Sequence, residues 1–119
     1  MSDPRISNMV TRLIEETVRG RVVWRIADVP ETITLGTNDI FTLFVETNFR
    51  DTRFAMYEVR YKHYTDEYDY YWNEKVILAI LDSEDRVLWP ISGTPEIYEL
   101  FADVRQKVAG VDQLLNYFR

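Results

Sequence analysis

The spacing of apolar residues changes twice along this chain, and those two changes fix the kind of fold it can adopt. Between Pro4 and Arg19, the residues Ile6, Met9, Val10, Leu13, Ile14 and Thr17 recur at steps of three and four. Such steps place them on one face of a helix. Asp3 is positioned to cap it, and Pro4 suits a first helical position, where a missing N–H costs nothing. Gly20 stops it by taking a left-handed conformation that other residues resist.

From Arg21 the period falls to two. Val22, Trp24 and Ile26 alternate with Arg21, Val23 and Arg25, which predicts a strand with one buried face. Pro30 breaks it, Thr32 to Leu35 reads as a weaker strand, and Gly36 to Asp39 as a turn. Ile40 to Phe49 follows, with Phe41, Leu43 and Val45 on one side and Thr42, Phe44 and Glu46 on the other. The polar cluster Asn48 to Arg53 turns the chain into a long strand, Phe54 to Tyr64. There Glu58, Arg60 and Lys62 form a wet face opposite Tyr57, Val59 and Tyr61. Val76 to Leu81 is apolar on both faces, as a central strand is. Asp82 to Asp85 is a turn, and Val87 to Trp89 a short strand ended by Pro90.

The helical period then returns. Thr94 caps, Pro95 starts, and Glu96 suits the positive end of the helix. Ile97, Leu100, Phe101, Val104 and Val108 form its stripe, and Gly110 interrupts it. Val111, Leu114, Leu115 and Phe118 make a short closing helix. Helices flanking consecutive strands imply one α+β domain over residues 1–119. Its expected core is an antiparallel meander of five or six strands with the terminal helices on one face. The chain has no internal repeat, low-complexity tract or linker.

Three segments, in this order, carry a resemblance: ETVRGRVVW at Glu16 to Trp24, VILAILDSEDRVLW at Val76 to Trp89, and LFADVRQKVAGVDQLLNYF at Leu100 to Phe118. Together they resemble a widespread family of small single-domain bacterial proteins with a helix, meander, helix arrangement and no assigned activity. The resemblance implies that fold and a microbial or phage-like origin. Its motifs are caps, turns and core positions, so it carries no site.

Bulk properties narrow the function. The 119 residues carry 14 Lys and Arg against 20 Asp and Glu, a net charge of −6. A chain of that sign repels phosphate backbones unless its cations cluster, and only Arg19, Arg21 and Arg25 come close in sequence. Nucleic acid is not an expected partner. Without cysteine there is no disulfide, thiol nucleophile or cysteine metal site. The start, MSDPRISNMV, lacks the charged and apolar regions of a signal peptide, and Val76 to Leu81 is far too short to cross a bilayer. The expectation is a soluble cytoplasmic protein that needs no membrane and no cofactor.

Chemistry-bearing patterns are sparse. His63, the only histidine, has no serine or cysteine placed as its nucleophile, and alone it cannot build a zinc site. Asp66, Glu67, Asp69 and Glu74 among aromatic rings imitate a sugar subsite, but neighbouring acids in a polar loop are ordinarily solvated. Their spacing does not match a calcium loop, and four separated glycines cradle no phosphate.

What stands out is YKHYTDEYDYYWNE, Tyr61 to Glu74. Large rings with polar tips suit a contact surface, because each buries much area while ordering few torsions. Sheet rings can also stack single-stranded bases, but these lie among acids in sequence, and backbone repulsion would oppose each stack. The same tyrosines would serve equally well as cover for a second sheet face. The expected partner-binding residues are Tyr64, Asp66, Glu67, Tyr68, Asp69, Tyr70, Tyr71 and Trp72. They would present an acidic, aromatic surface to a protein partner, a basic one or another copy of this chain. The competing expectation is a small-ligand binder or carboxylate-based hydrolase with a sheet pocket.

Overall fold

The computed structural model describes residues 3–118. Helix α1 (Pro4–Val18) leads to a five-stranded antiparallel sheet of β1 (Arg25–Ile26), β2 (Ile40–Phe49), β3 (Thr52–Tyr64), β4 (Tyr70–Leu81) and β5 (Val87–Ser92). The strands lie side by side in chain order, a meander. A short helix, α2 (Glu31–Thr34), interrupts the passage from β1 to β2, and α3 (Pro95–Ala109) and α4 (Val111–Tyr117) follow the sheet.

Period-two alternation sorts the strands into two cores. On one face, Val45, Phe54, Met56, Val76, Leu78 and Ile91 meet Val10 and Leu13 of α1 and Ile97, Leu100, Phe101 and Val104 of α3. On the other, Phe44, Ala55, Tyr57, Val59, Ala79 and Leu81 pack beneath Ala27, Val29 and Ile33. That strap is tethered across the sheet by the Thr32 hydroxyl, which donates to the Asp85 carbonyl. The second face also carries a row of ions. Glu46 accepts from Arg25 at 3.0 Å and from Arg53 at 2.8 Å, and Arg53 reaches on to Asp85. Burial pushes the Glu46 carboxyl up, but hydrogen bonds from Arg53 and Arg25 outweigh it and hold the group below its ordinary value.

The turn from α1 into the sheet explains the segment 16–24. The Glu16 carbonyl accepts from the N–H groups of Arg21 and Val22, and the Thr17 hydroxyl accepts from the buried Trp24 indole at 3.0 Å. The Glu16 carboxylate, itself buried, pairs with Arg12 and Arg21. Gly20, at φ +76°, supplies the left-handed residue that the corner requires.

Several expectations change. Residues 21–24 form this corner instead of a strand: the N–H groups of Arg21 and Val22 go to the Glu16 carbonyl of α1, and the Val23 carbonyl accepts from the Thr47 hydroxyl. Only Arg25 and Ile26 pair with β2, and Ile26 is exposed. Thr32 to Leu35 is not a strand: Ile33 and Thr34 donate their N–H groups to the Pro30 carbonyl, making one helical turn. The register slips between Phe41 and Leu43, so Phe41 joins Phe44 and Tyr57 on the second face while Leu43 stays with Val45. Strand β5 runs through Pro90 to Ser92, as an edge strand can when a missing N–H costs it no partner. Thr94 stands at the cap position but makes no side-chain cap bond. Helix α4 forms, yet it closes nothing: Leu114, Leu115 and Phe118 are all exposed.

Candidate functional site

Strands β3 and β4 outrun their neighbours. β2 accompanies β3 only as far as Ile40↔Arg60, and β5 accompanies β4 only from Ile77↔Ser92. Beyond those points residues 61–64 and 70–73 pair only with each other, from Tyr61↔Asn73 to Tyr64↔Tyr70. The result is a two-stranded arm reaching about 20 Å past the sheet at the usual rise per residue. It lengthens the whole molecule to 52 × 35 × 30 Å. The radius of gyration, 15.7 Å, exceeds the roughly 13.5 Å of a compact chain this long.

Sequence reasoning started β4 at Val76, but it starts at Tyr70. Alternating rings and polar groups on both faces of the arm hide the usual one-sided strand pattern.

The tip is a turn over residues 65–69. The Asp66 carboxylate accepts from the N–H groups of Tyr68 and Asp69, both at 2.8 Å. The Tyr68 bond first, then the Asp69 bond, holds this carboxyl below the usual range. Asp66 is therefore a turn-former as well as a charge. Glu67 and Asp69 stand beside it in the open, and the Tyr68 ring is 86% exposed.

Cross-strand partners share a face, which sorts the arm's side chains. On the face continuous with Phe54 and Met56 lie Tyr64, Tyr70 and Trp72, with Arg60 and Lys62. Tyr64 and Tyr70 meet at 5.5 Å between centroids, and Tyr70 and Trp72 at 6.3 Å edge to face. The Lys62 ammonium sits 4.6 Å from the Tyr70 centroid and 5.6 Å from Trp72, and the Arg60 guanidinium 6.0 Å from Trp72. On the opposite face, His63 and Tyr71 pack at 5.0 Å, and Lys75 covers Tyr61 at 5.0 Å. Every residue from 63 to 75 is exposed.

All eight expected partner-binding residues thus fall on this one arm, but not on one face of it. Tyr64, Tyr70 and Trp72 share a face, Tyr71 looks the other way, and Asp66, Glu67, Tyr68 and Asp69 make the tip. The neighbours of the rings correct the sequence reading. Acids are concentrated at the tip, while the stem rings are covered by Arg60, Lys62 and Lys75. Sequence reasoning missed these pairings because each cation covers a ring on the other strand, eight or more residues away along the chain. Centring the hairpin on residues 66–68 would have set Lys62 opposite Trp72.

Other surfaces offer less. A groove of about 640 Å³ runs between the start of α1, the end of β5 and the start of α3. Its acids are engaged, Asp3 by the N–H and guanidinium of Arg5, and Glu96 by the Ser7 hydroxyl. His63 lies on the open arm and not in this groove. Among the described residues no three His, Asp or Glu side chains are grouped to hold a metal ion, and no helix is long and apolar enough to cross a membrane. Set against family models, curated proteins and solved structures, the chain matches none.

Proposed function

We propose that this protein is a non-enzymatic binding module whose arm engages a protein partner, either a basic protein or a second copy of the chain. One observation carries the reading. Tyr64, Tyr68, Tyr70, Tyr71 and Trp72 stand 40–86% exposed on a ribbon beyond both cores. Exposed rings held in place by strand pairing offer area with little further ordering on contact, which is what interface anchors need. They line no closed pocket, the arrangement that ligand binding or hydrolysis would favour. The carboxylates at the tip would steer a basic surface toward the rings. An inhibitor or immunity-type protein that neutralises a basic toxin or nuclease is one concrete form of this role. A net charge of −6 on 119 residues suits it.

The test is the combined change Tyr70→Ser, Tyr71→Ser and Trp72→Ser, with affinity capture from the native cell compared between variant and wild type. The variant should lose what the wild type retains while its melting temperature stays nearly unchanged. A large fall in melting temperature would show that the rings stabilise the monomer, and unchanged capture would place the contact elsewhere.

A further inference from the structure

We infer that the arm pairs with the arm of a second copy, antiparallel about a two-fold axis, so that each acidic tip lies on the other's cationic root. This rests on the reading of the arm as a protein-contact surface and names its occupant.

The arm's charges are segregated along its length. The tip carries Asp66, Glu67 and Asp69 and no cation, whereas the root carries Arg60 and Lys62 against the single carboxylate of Glu74 on the face of the rings, and Lys75 on the opposite face. A two-fold axis across such a rod sets contact i–j beside its equivalent j–i. Both tip-to-root contacts are then favourable at once. A parallel alignment would instead set tip on tip and root on root. The charge pattern therefore selects one orientation out of two.

The rings supply the area between those ends. Tyr64, Tyr70 and Trp72 form a continuous edge-and-tilt row midway between tip and root, on the face that also carries Lys62. Antiparallel arms would lay one row on the other, with Lys62 within reach of a ring on either chain. The chain's overall charge of −6 opposes self-association. Screening over about 8 Å at physiological salt confines that repulsion largely to nearby groups, and the groups nearest this contact are of opposite sign. Residues 61–64 and 70–76 also keep one unpaired backbone edge each, so nothing of the monomer's own sheet covers the arm.

The experiment is sedimentation of the purified full chain over a concentration series, with two charge-swapped variants. Root-swapped protein carries Arg60→Glu and Lys62→Glu; tip-swapped protein carries Glu67→Lys and Asp69→Lys. Wild type should sediment as a dimer at the higher concentrations, and each variant alone should show a dissociation constant raised about tenfold or more. An equimolar mixture of the two variants should recover the dimer, because both tip-to-root contacts are then attractive again. Tyr71→Ser, on the opposite face, should leave the dimer intact, while Trp72→Ser should weaken it. Circular dichroism on every variant checks that the fold persists. A wild type that stays monomeric throughout, or a mixture no better than its components, overturns the inference. If the wild type is monomeric but the triple serine variant still loses a captured protein, self-pairing falls and partner recognition stands. If neither self-pairing nor capture depends on the arm, both fall.

Discussion

From Arg53↔Leu81 to Glu58↔Val76 the β3–β4 ladder is covered on both faces; from Tyr61↔Asn73 to Tyr64↔Tyr70 the same two strands stand in solvent. Backbone pairing continues without a break from one half to the other. The side chains change completely. Inner positions hold Phe54, Ala55, Met56 and Tyr57 against Leu78, Ala79 and Leu81, all nearly or fully inaccessible. Outer positions hold rings that pack against each other, His63, Asn73 and three cations, with no core beneath them. Strand pairing can therefore carry a rigid element past the core, but burial decides which half stabilises the fold and which half is free to contact something else.

The sharpest way to break that comparison is a truncation within the inner half. Leu78 is fully buried between the helices and the sheet, so Leu78→Ala should cost about 2–5 kcal/mol in a chemical denaturation series. A cost near zero would mean that the inner half is not the stabilising one. Next in size is Glu46, which ties β1, β2 and β3 together through two guanidinium groups. Glu46→Ala should cost about 1–3 kcal/mol at neutral pH, because Arg25 and Arg53 lose their shared acceptor. Its carboxyl is held low in the folded protein. The stability it adds is present above the unfolded carboxylate value, about 4.3, and is lost as pH falls through the lower folded value. Acid titration of Glu46→Ala should accordingly be flatter than that of wild type. Parallel curves would contradict the pairing.

The smallest effect is a gain, at the β2–β3 turn. Arg50 and Asp51 both adopt positive φ, 52° and 59°, in a two-residue hairpin loop that favours Asn-Gly. Replacing the pair with Asn-Gly should stabilise the protein by about 1 kcal/mol. It should do so without altering the arm, since the turn lies at the opposite end of β3. A loss of stability would show that Arg50 or Asp51 makes contacts that outweigh the backbone strain.

Much of this architecture was legible because burial on one side leaves a periodic trace. The stripes of α1 and α3 and the two-sided apolar run of Val76 to Leu81 each announced their element and its cover. The β-branched residues Thr32, Ile33 and Thr34 suggested extension, but local hydrogen bonding to Pro30 made a helical turn. The slip between Phe41 and Leu43 left no signal, because both residues are apolar and each face has a core to receive them. The outer half of β4 was invisible for the opposite reason. Neither face is buried, so nothing selects alternation between Tyr70 and Lys75. Composition alone marked the candidate residues there, and composition could not reveal that Lys62 lies against Tyr70 and Trp72. Pairing across strands is long-range information.

The central claim is that the arm serves contact and the rest serves stability. It is tested most directly by excising residues 62–72 and joining Tyr61 to Asn73 through Asn-Gly, since those two residues already face each other in the ladder. Thermal unfolding and partner capture would then be read on the same preparation. The account predicts a melting temperature within about 5 °C of wild type and complete loss of capture. A protein that no longer folds, or one that still binds its partner, would contradict it.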